Sequence, residues 1–254
     1  MYLLTSVSLR FKRFVPASGL VYFRILANNM SQNVSEISRV LRSKEEAKAS
    51  YNRISKWYDM LAGPSEKKCI DAGLQILNVK EGEMVLEIGF GTGRGILAMA
   101  KSVGNSGKVY GIDLSSGMHD ITKSRVNKAR LSERVELKCA DAVKLSFESD
   151  FFNSIFMSFT LELFDTPEIP IVLQECRRIL QRDGRLCVVA MSKKKKSGLI
   201  IRLYEWAHKK LPNYVDCRPI YVRKSLEDTG FQILDVTEMP LWGLSVEIVL
   251  AKKV

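Results

Sequence analysis

The chain has 254 residues, 46% of them hydrophobic, with a formal charge of +11 and five cysteines. That length suits one good-sized α/β domain with modest extensions. The cysteines (Cys69, Cys139, Cys176, Cys187, Cys217) stand far apart, odd in number and without a CxxC pair, which argues against a disulfide framework and a zinc site and fits a reducing, cytoplasmic setting. His119 and His208 are the only imidazoles, so no metal centre is expected. Residues 1 to 50 hold eight basic against three acidic side chains and residues 193 to 224 ten against two, so the positive charge sits in two segments and the remainder is close to neutral. Such segments read either as solvated surface or as an attraction to anionic lipid headgroups or an anionic substrate.

No acid precedes Glu36, while Arg10, Lys12, Arg13 and Arg24 are spaced among Phe, Leu, Val and Ser. Two readings of residues 1 to 30 stay open: a presequence-like extension, which would make the protein organellar, or translation that begins at Met30. The apolar run from Phe14 to Phe23 falls far short of the ~20 residues a membrane span needs. Residues 31 to 254 are expected to form one domain, with a helical N-terminal part over 31 to 78. There Val34, Ile37, Val40 and Leu41 mark one stripe, and Tyr51, Ile54, Trp57, Tyr58 and Leu61 a second. Gly63 and Pro64 break that pattern, and 65 to 77 predicts another helix.

From residue 83 strands and helices alternate. Strands are predicted at 83 to 89, 108 to 113, 134 to 139, 152 to 159 and 185 to 191, with helices at 93 to 103, 116 to 130 and 167 to 181. After a helix near 221 to 229, FQILDVTEM and LSVEIVLAKK form a hairpin joined by about five residues, with Pro240 and Gly243 in the joint. The fold class is therefore α/β: a Rossmann-like, doubly wound, mostly parallel seven-stranded sheet with an antiparallel C-terminal hairpin strand, plus N-terminal helices.

The stretch VLEIGFGTGRG at 85 to 95 places a glycine-rich bend between the first strand and its helix. Glycine there lets a ligand approach the backbone and tolerates positive φ. A dinucleotide fingerprint would need a third glycine at position 94, where Arg94 stands; the spacing is Gly89, Gly91, Gly93. This counts against a nucleotide-dependent oxidoreductase. Glu87 would be badly placed for a pyrophosphate but suits a cationic ligand. Asp113, at the end of the next strand, can accept two hydrogen bonds from a ribose diol, and Asp141, after the strand beyond it, suits the exocyclic amine of an adenine. Three acids at successive strand ends imply an adenosine that carries positive charge and no phosphates.

VLEIGFGTGRG, VYGIDLSSGM, CADAVKLSF and RRILQRDGRLCVVAMS together resemble the class I S-adenosylmethionine-dependent methyltransferases over about residues 50 to 254. Arg182-Asp183-Gly184 replaces the usual Pro-Gly-Gly of the last segment. The resemblance implies S-adenosyl-L-methionine as cofactor. Gly89, Gly91 and Gly93 would pass under its methionine part with Glu87 supporting them, and Asp113 would hold the ribose. Leu114 and Met118 would flank the adenine, Asp141 would take its amine and Ala142 would offer a backbone N–H. Tyr58 would close the site and Ser158 would border it.

YNRISKWYDML, DLSSGM and DCRPIYVRKSLEDTGF are most similar to the ubiquinone/menaquinone biosynthesis C-methyltransferases and their relatives. Members usually carry Arg-Asn after the fourth strand, where this chain has Leu161 and Glu162. The acceptor implied is a small lipophilic molecule, and Glu162 is the best-placed base if one is used; alternatively it is a helix-start or surface glutamate. Residues 193 to 220 come where such enzymes insert a lid. KKKKSGLIIRLYEWAHKKLP could cover a lipophilic acceptor, rest peripherally on an anionic membrane surface, or pack as an ordinary amphipathic helix. Neither an acceptor motif for nucleobases nor an RNA-binding module appears, so nucleic acid is not the expected partner.

Overall fold

The computed structural model describes residues 37, 39–40, 42–55, 63–193, 217–241 and 243–254. Tyr58, the extension over 1 to 30 and the greater part of the lid-like insertion lie outside them. Seven strands form one sheet: β1 Met84–Ile88, β2 Lys108–Asp113, β3 Val135–Cys139, β4 Phe152–Ser158, β5 Leu180–Met191, β6 Phe231–Leu241 and β7 Leu244–Lys253. Their order is β3-β2-β1-β4-β5-β7-β6. β7 runs antiparallel to both neighbours and the other six strands share one direction.

Burial on both faces explains the near-continuous apolar strands. In β4, Ile155 and Met157 join one core layer and Phe156 the other; in β5, Leu186, Val188 and Ala190 oppose Cys187 and Val189. The helices supply matching stripes. α3 (Arg94–Ser102) buries Gly95, Ile96, Met99 and Ala100, and α5 (Ile169–Ile179) buries Ile169, Val172, Leu173, Cys176 and Ile179, spacings that fall on one helical face. Each of these larger side chains contributes about 1.5–3 kcal/mol on burial. Between them in the chain lies α4 (Ser116–Lys128), and α6 (Val222–Asp228) precedes the hairpin. Burial pushes the Cys187 thiol up to about 12 and the Cys176 thiol higher still, as expected of inert core cysteines.

Four local expectations differ from what forms. The first described helix, α1 (Lys44–Ile54), starts well after 31, and Ile37 and Val40 are not helical. Its start is fixed by a capping box: Ser43 Oγ accepts from Glu46 N at 3.1 Å, and Glu46 Oε2 accepts from Ser43 N at 2.8 Å. Gly63 and Pro64 open α2 (Gly63–Leu77), because proline in a first turn gives up an N–H that has no helical acceptor anyway. Finally, Leu180 follows α5 directly, and Arg182-Asp183-Gly184 form an irregularity inside β5: Phe152 pairs Leu180, yet Ser154 already pairs Arg185. The hairpin joint is also tighter than five residues, since Leu241 pairs Leu244.

α2 approaches the sheet closely at Gly73, where a Cβ would lie 2.4 Å from Val189 Cγ2 and 3.1 Å from Phe156 Cε2. Replacing a helical glycine by alanine gains about 1 kcal/mol in propensity. Overpacking against a β-branched side chain costs about 1–3 kcal/mol. Gly73→Ala is therefore expected to lower the urea midpoint, whereas a rise would mean that the layer yields.

Candidate functional site

β1 and β4 are neighbours, but the chain leaves β1 toward β2 on one side and returns to β4 on the other. At such a reversal the connections diverge and leave a crevice at the strands' C-terminal ends. A cavity of about 450 Å³ opens there. Its described walls include Ile88, Gly89 and Gly91 from the β1 end, Asp113, Leu114 and Met118 from β2 and α4, and Ala140 and Ala142 after β3. Ser158, Phe159 and Thr160 follow from β4, and the segment 39–51 covers it.

Asp113 organises the bend. Its Oδ2 accepts from Gly91 N at 2.9 Å and its Oδ1 from Ser115 N at 2.8 Å. Burial raises its pKa, while the N–H groups of Ser115, Gly91 and Leu114 pull the other way. Gly89 sits at φ +73°, and a Cβ on it would fall 2.2 Å from Thr160 Oγ1. Gly91, at φ +49°, is different: a Cβ there would meet nothing among the described residues within 4 Å. The bare backbone at Gly91 thus faces the cavity, a cradle that a side chain would fill.

Glu87 does not line the cavity. It is 2% exposed and faces the start of α3, where a Cβ on Gly95 would lie 2.3 Å from Glu87 Oε1. Burial, and after it the neighbouring Asp113 charge, raise its pKa well above the carboxylate range, against one hydrogen bond from the Ile96 N–H. Its Oε2 has no hydrogen-bond partner among the described residues. Gly93 caps α3 at φ +85° and packs on Thr122. Arg94, where a dinucleotide fold would have glycine, pairs outward with Asp71. Leu114, Met118, Ala142 and Ser158 all reach the cavity, whereas Asp141 lies just behind its wall. Glu162 is neither surface nor cavity: fully buried, it accepts from Met191 N at 3.2 Å and ties the turn after β4 to the end of β5.

Closure of the site was expected at Tyr58, which lies outside the described residues; the contacts that fasten the segment 39–51 over the crevice had no counterpart in the sequence pattern. α1 docks on α4 through Asn52 Oδ1, which accepts from Ser115 Oγ at 2.6 Å and Gly117 N at 3.0 Å. Arg39 forks onto Asp165 at 2.5–2.9 Å, and the Arg39 guanidinium holds the Asp165 carboxyl below its usual range. Lys44 bridges Asp141 and Glu168, each at 2.6 Å. Arg42 stacks over Tyr51 at 5.7 Å. The capping box at Ser43 was the one local signal for where this cover begins. Behind it, Arg218, 1% exposed and drawn down to about 10 by burial, donates to Thr166 Oγ1 at 3.1 Å and Phe164 O at 2.6 Å.

A doubly wound sheet with this bend at its reversal point defines an α/β protein of the Rossmann-like kind. Residues 85–184 match the methyltransferase domain family. The demethylmenaquinone methyltransferase of Bacillus subtilis (strain 168) is 30% identical over 152 residues, 58% of this chain and 64% of that protein. This chain thus spans less than two thirds of that relative's length. The demethylmenaquinone methyltransferase of Lactobacillus johnsonii is 28% identical over 197 residues, 70% of this chain and 79% of that protein. A SAM dependent methyltransferase from Aquifex aeolicus superposes with a TM-score of 0.59 at 25% identity, covering 79% of this chain and 98% of its own. By the matched domain and by its fold the chain is similar to the class I S-adenosylmethionine-dependent methyltransferases.

The raised carboxyl of Glu87 has a measurable sign. An acid whose folded pKa lies above its unfolded value favours folding at low pH, and loses that contribution as pH rises through the folded value. Glu87→Gln removes this loss, so the melting temperature of the variant minus that of the wild type should grow from acid toward neutral pH. A gap that stays flat with pH would mean that Glu87 titrates as an ordinary carboxyl.

Proposed function

We propose that the chain transfers the methyl group of S-adenosylmethionine to a small lipophilic acceptor, such as the demethylated quinone named for its relatives. The observation that carries this reading is the open, side-chain-free face of Gly91 beside an apolar wall of Val40, Phe159, Leu163 and Phe164 in one cavity. Gly89 and Gly91 would seat the methionine part, Asp113 would hold the ribose, Leu114 and Met118 would flank the adenine, and Ala142 would offer its N–H. Glu87 and Gly93 would act from behind, by shaping the bend.

When bound, the sulfonium cofactor supplies a methyl group that is already electrophilic. The protein has to align the acceptor and exclude water. The apolar wall would orient a lipophilic ring, and the segment 39–51, fastened by Arg39, Lys44 and Asn52, would shut water out. Glu162 is committed to the Met191 N–H, away from the cavity, and is not assigned a proton-transfer role. No helix among the described residues is long and apolar enough to cross a membrane. A lipophilic acceptor would reach the cavity through its mouth, and the charge of the lysine-rich segment after Ser192 would attract an anionic bilayer surface.

Two measurements test this. Asp113→Asn should weaken S-adenosylmethionine binding in calorimetry by about ten- to a hundred-fold, the worth of hydrogen bonds to a charged acceptor; unchanged affinity would remove Asp113 from the site. Incubating the protein with deuterated-methyl cofactor and lipid or metabolite extracts should label an apolar product in mass spectrometry. Label confined to polar metabolites or nucleic acid would overturn the lipophilic acceptor.

A further inference from the structure

The adenine side of the cavity is bounded by Lys44, Ala140 and Ala142, but not by Asp141. The Lys44 ammonium is 2.6 Å from Asp141 Oδ2. The other oxygen of that carboxylate, Oδ1, accepts from Val143 N at 3.0 Å. Each oxygen thus already accepts one hydrogen bond, and the charge of the lysine sits on Oδ2. That lysine has a second anchor, Glu168 Oε1 at 2.6 Å, in the residue that precedes α5 on the acceptor side.

We infer that Lys44 is a displaceable latch on the adenine subsite, a reading that rests on the cavity being the S-adenosylmethionine site. Paired with Asp141, Lys44 neutralises that carboxylate and ties the first turn of α1 to the segment after β3. When the adenine amine takes Asp141 Oδ2, Lys44 falls back on Glu168. Its charge is never left without a counter-ion, so the exchange is inexpensive. Lys44 and Asp141 keep 36% and 37% of their side-chain surface exposed, and such pairs are worth a factor of about 1.5 to 5 in an equilibrium constant. The latch lowers apparent cofactor affinity by that factor, since a ligand must first win the competing equilibrium. Because Asn52 still holds α1 on α4 and Arg39 still holds Asp165, the cover stays attached while its adenine edge opens.

This makes Lys44 a positioning residue whose removal should tighten binding, the opposite of losing a ligand contact. Calorimetric titration with S-adenosylmethionine on the full chain is the test. Lys44→Met should bind about two- to five-fold more tightly than wild type, Lys44→Arg should restore wild-type affinity, and high salt should narrow the gap by screening the pair. In an Asp141→Asn background, Lys44→Met should have no effect, because the double-mutant cycle isolates the Lys44–Asp141 coupling. Equal or weaker binding by Lys44→Met, or the same gain with Asp141 absent, overturns the latch while leaving the cofactor site standing. No binding by the wild-type chain removes the site assignment and the latch with it.

Discussion

Asp113 holds two consecutive pieces of backbone at once. One oxygen draws in the Gly91 N–H of the bend after β1, and the other draws in the Ser115 N–H at the start of α4. A carboxylate fastened in this way is half-buried and keeps a raised pKa, and it joins two βα turns that the parallel sheet alone would leave merely adjacent. The rest of the cavity depends on that bond. Gly91 can present a bare face only because its chain is held away from the crevice, and Asn52 can dock α1 only because Ser115 stands at a fixed place beside it.

Around this anchor the charges are arranged in two ways. Behind the bend they are buried and structural: Glu87 shapes the entry to α3, and Glu162 holds the end of β5 through the Met191 N–H. Over the mouth they are half-exposed and paired across elements distant in sequence, with Arg39 on Asp165 and Lys44 on Asp141 and Glu168. Half-exposed pairs are individually weak. They can therefore fasten a cover without locking it, which suits a site whose ligand must enter and leave. Arg218 reinforces the wall from the inside, joining the end of the insertion to the turn that carries Phe164 and Asp165.

Under the proposed function, acceptor choice would rest on the wall and not on the fold. Leu161 and Glu162, which depart from the quinone group's usual Arg-Asn, are both fully buried, and the side chains after β4 that do reach the cavity are Phe159, Thr160, Leu163 and Phe164. Phe159 holds φ +50°, unusual for a bulky residue, so this turn is shaped by its surroundings and not by local preference.

The seven strands, the order of helices between them, the reversed last strand and the glycine bend with its acids were all legible in the sequence. Apolar runs bounded by turn residues, and a strand followed at once by glycines, are local patterns that burial and sterics enforce wherever they occur. Tertiary structure alone decided which way the acids point: the same residue type at a strand end is a cavity wall at Asp113, a support facing α3 at Glu87, and a partner of Lys44 at Asp141. It also decided the cover, because contacts such as Arg39 with Asp165 or Lys44 with Asp141 join positions about a hundred residues apart and leave no periodicity in either segment. A pattern read along one chain registers what each residue prefers, and long-range pairing depends on where the sheet order has brought a second segment.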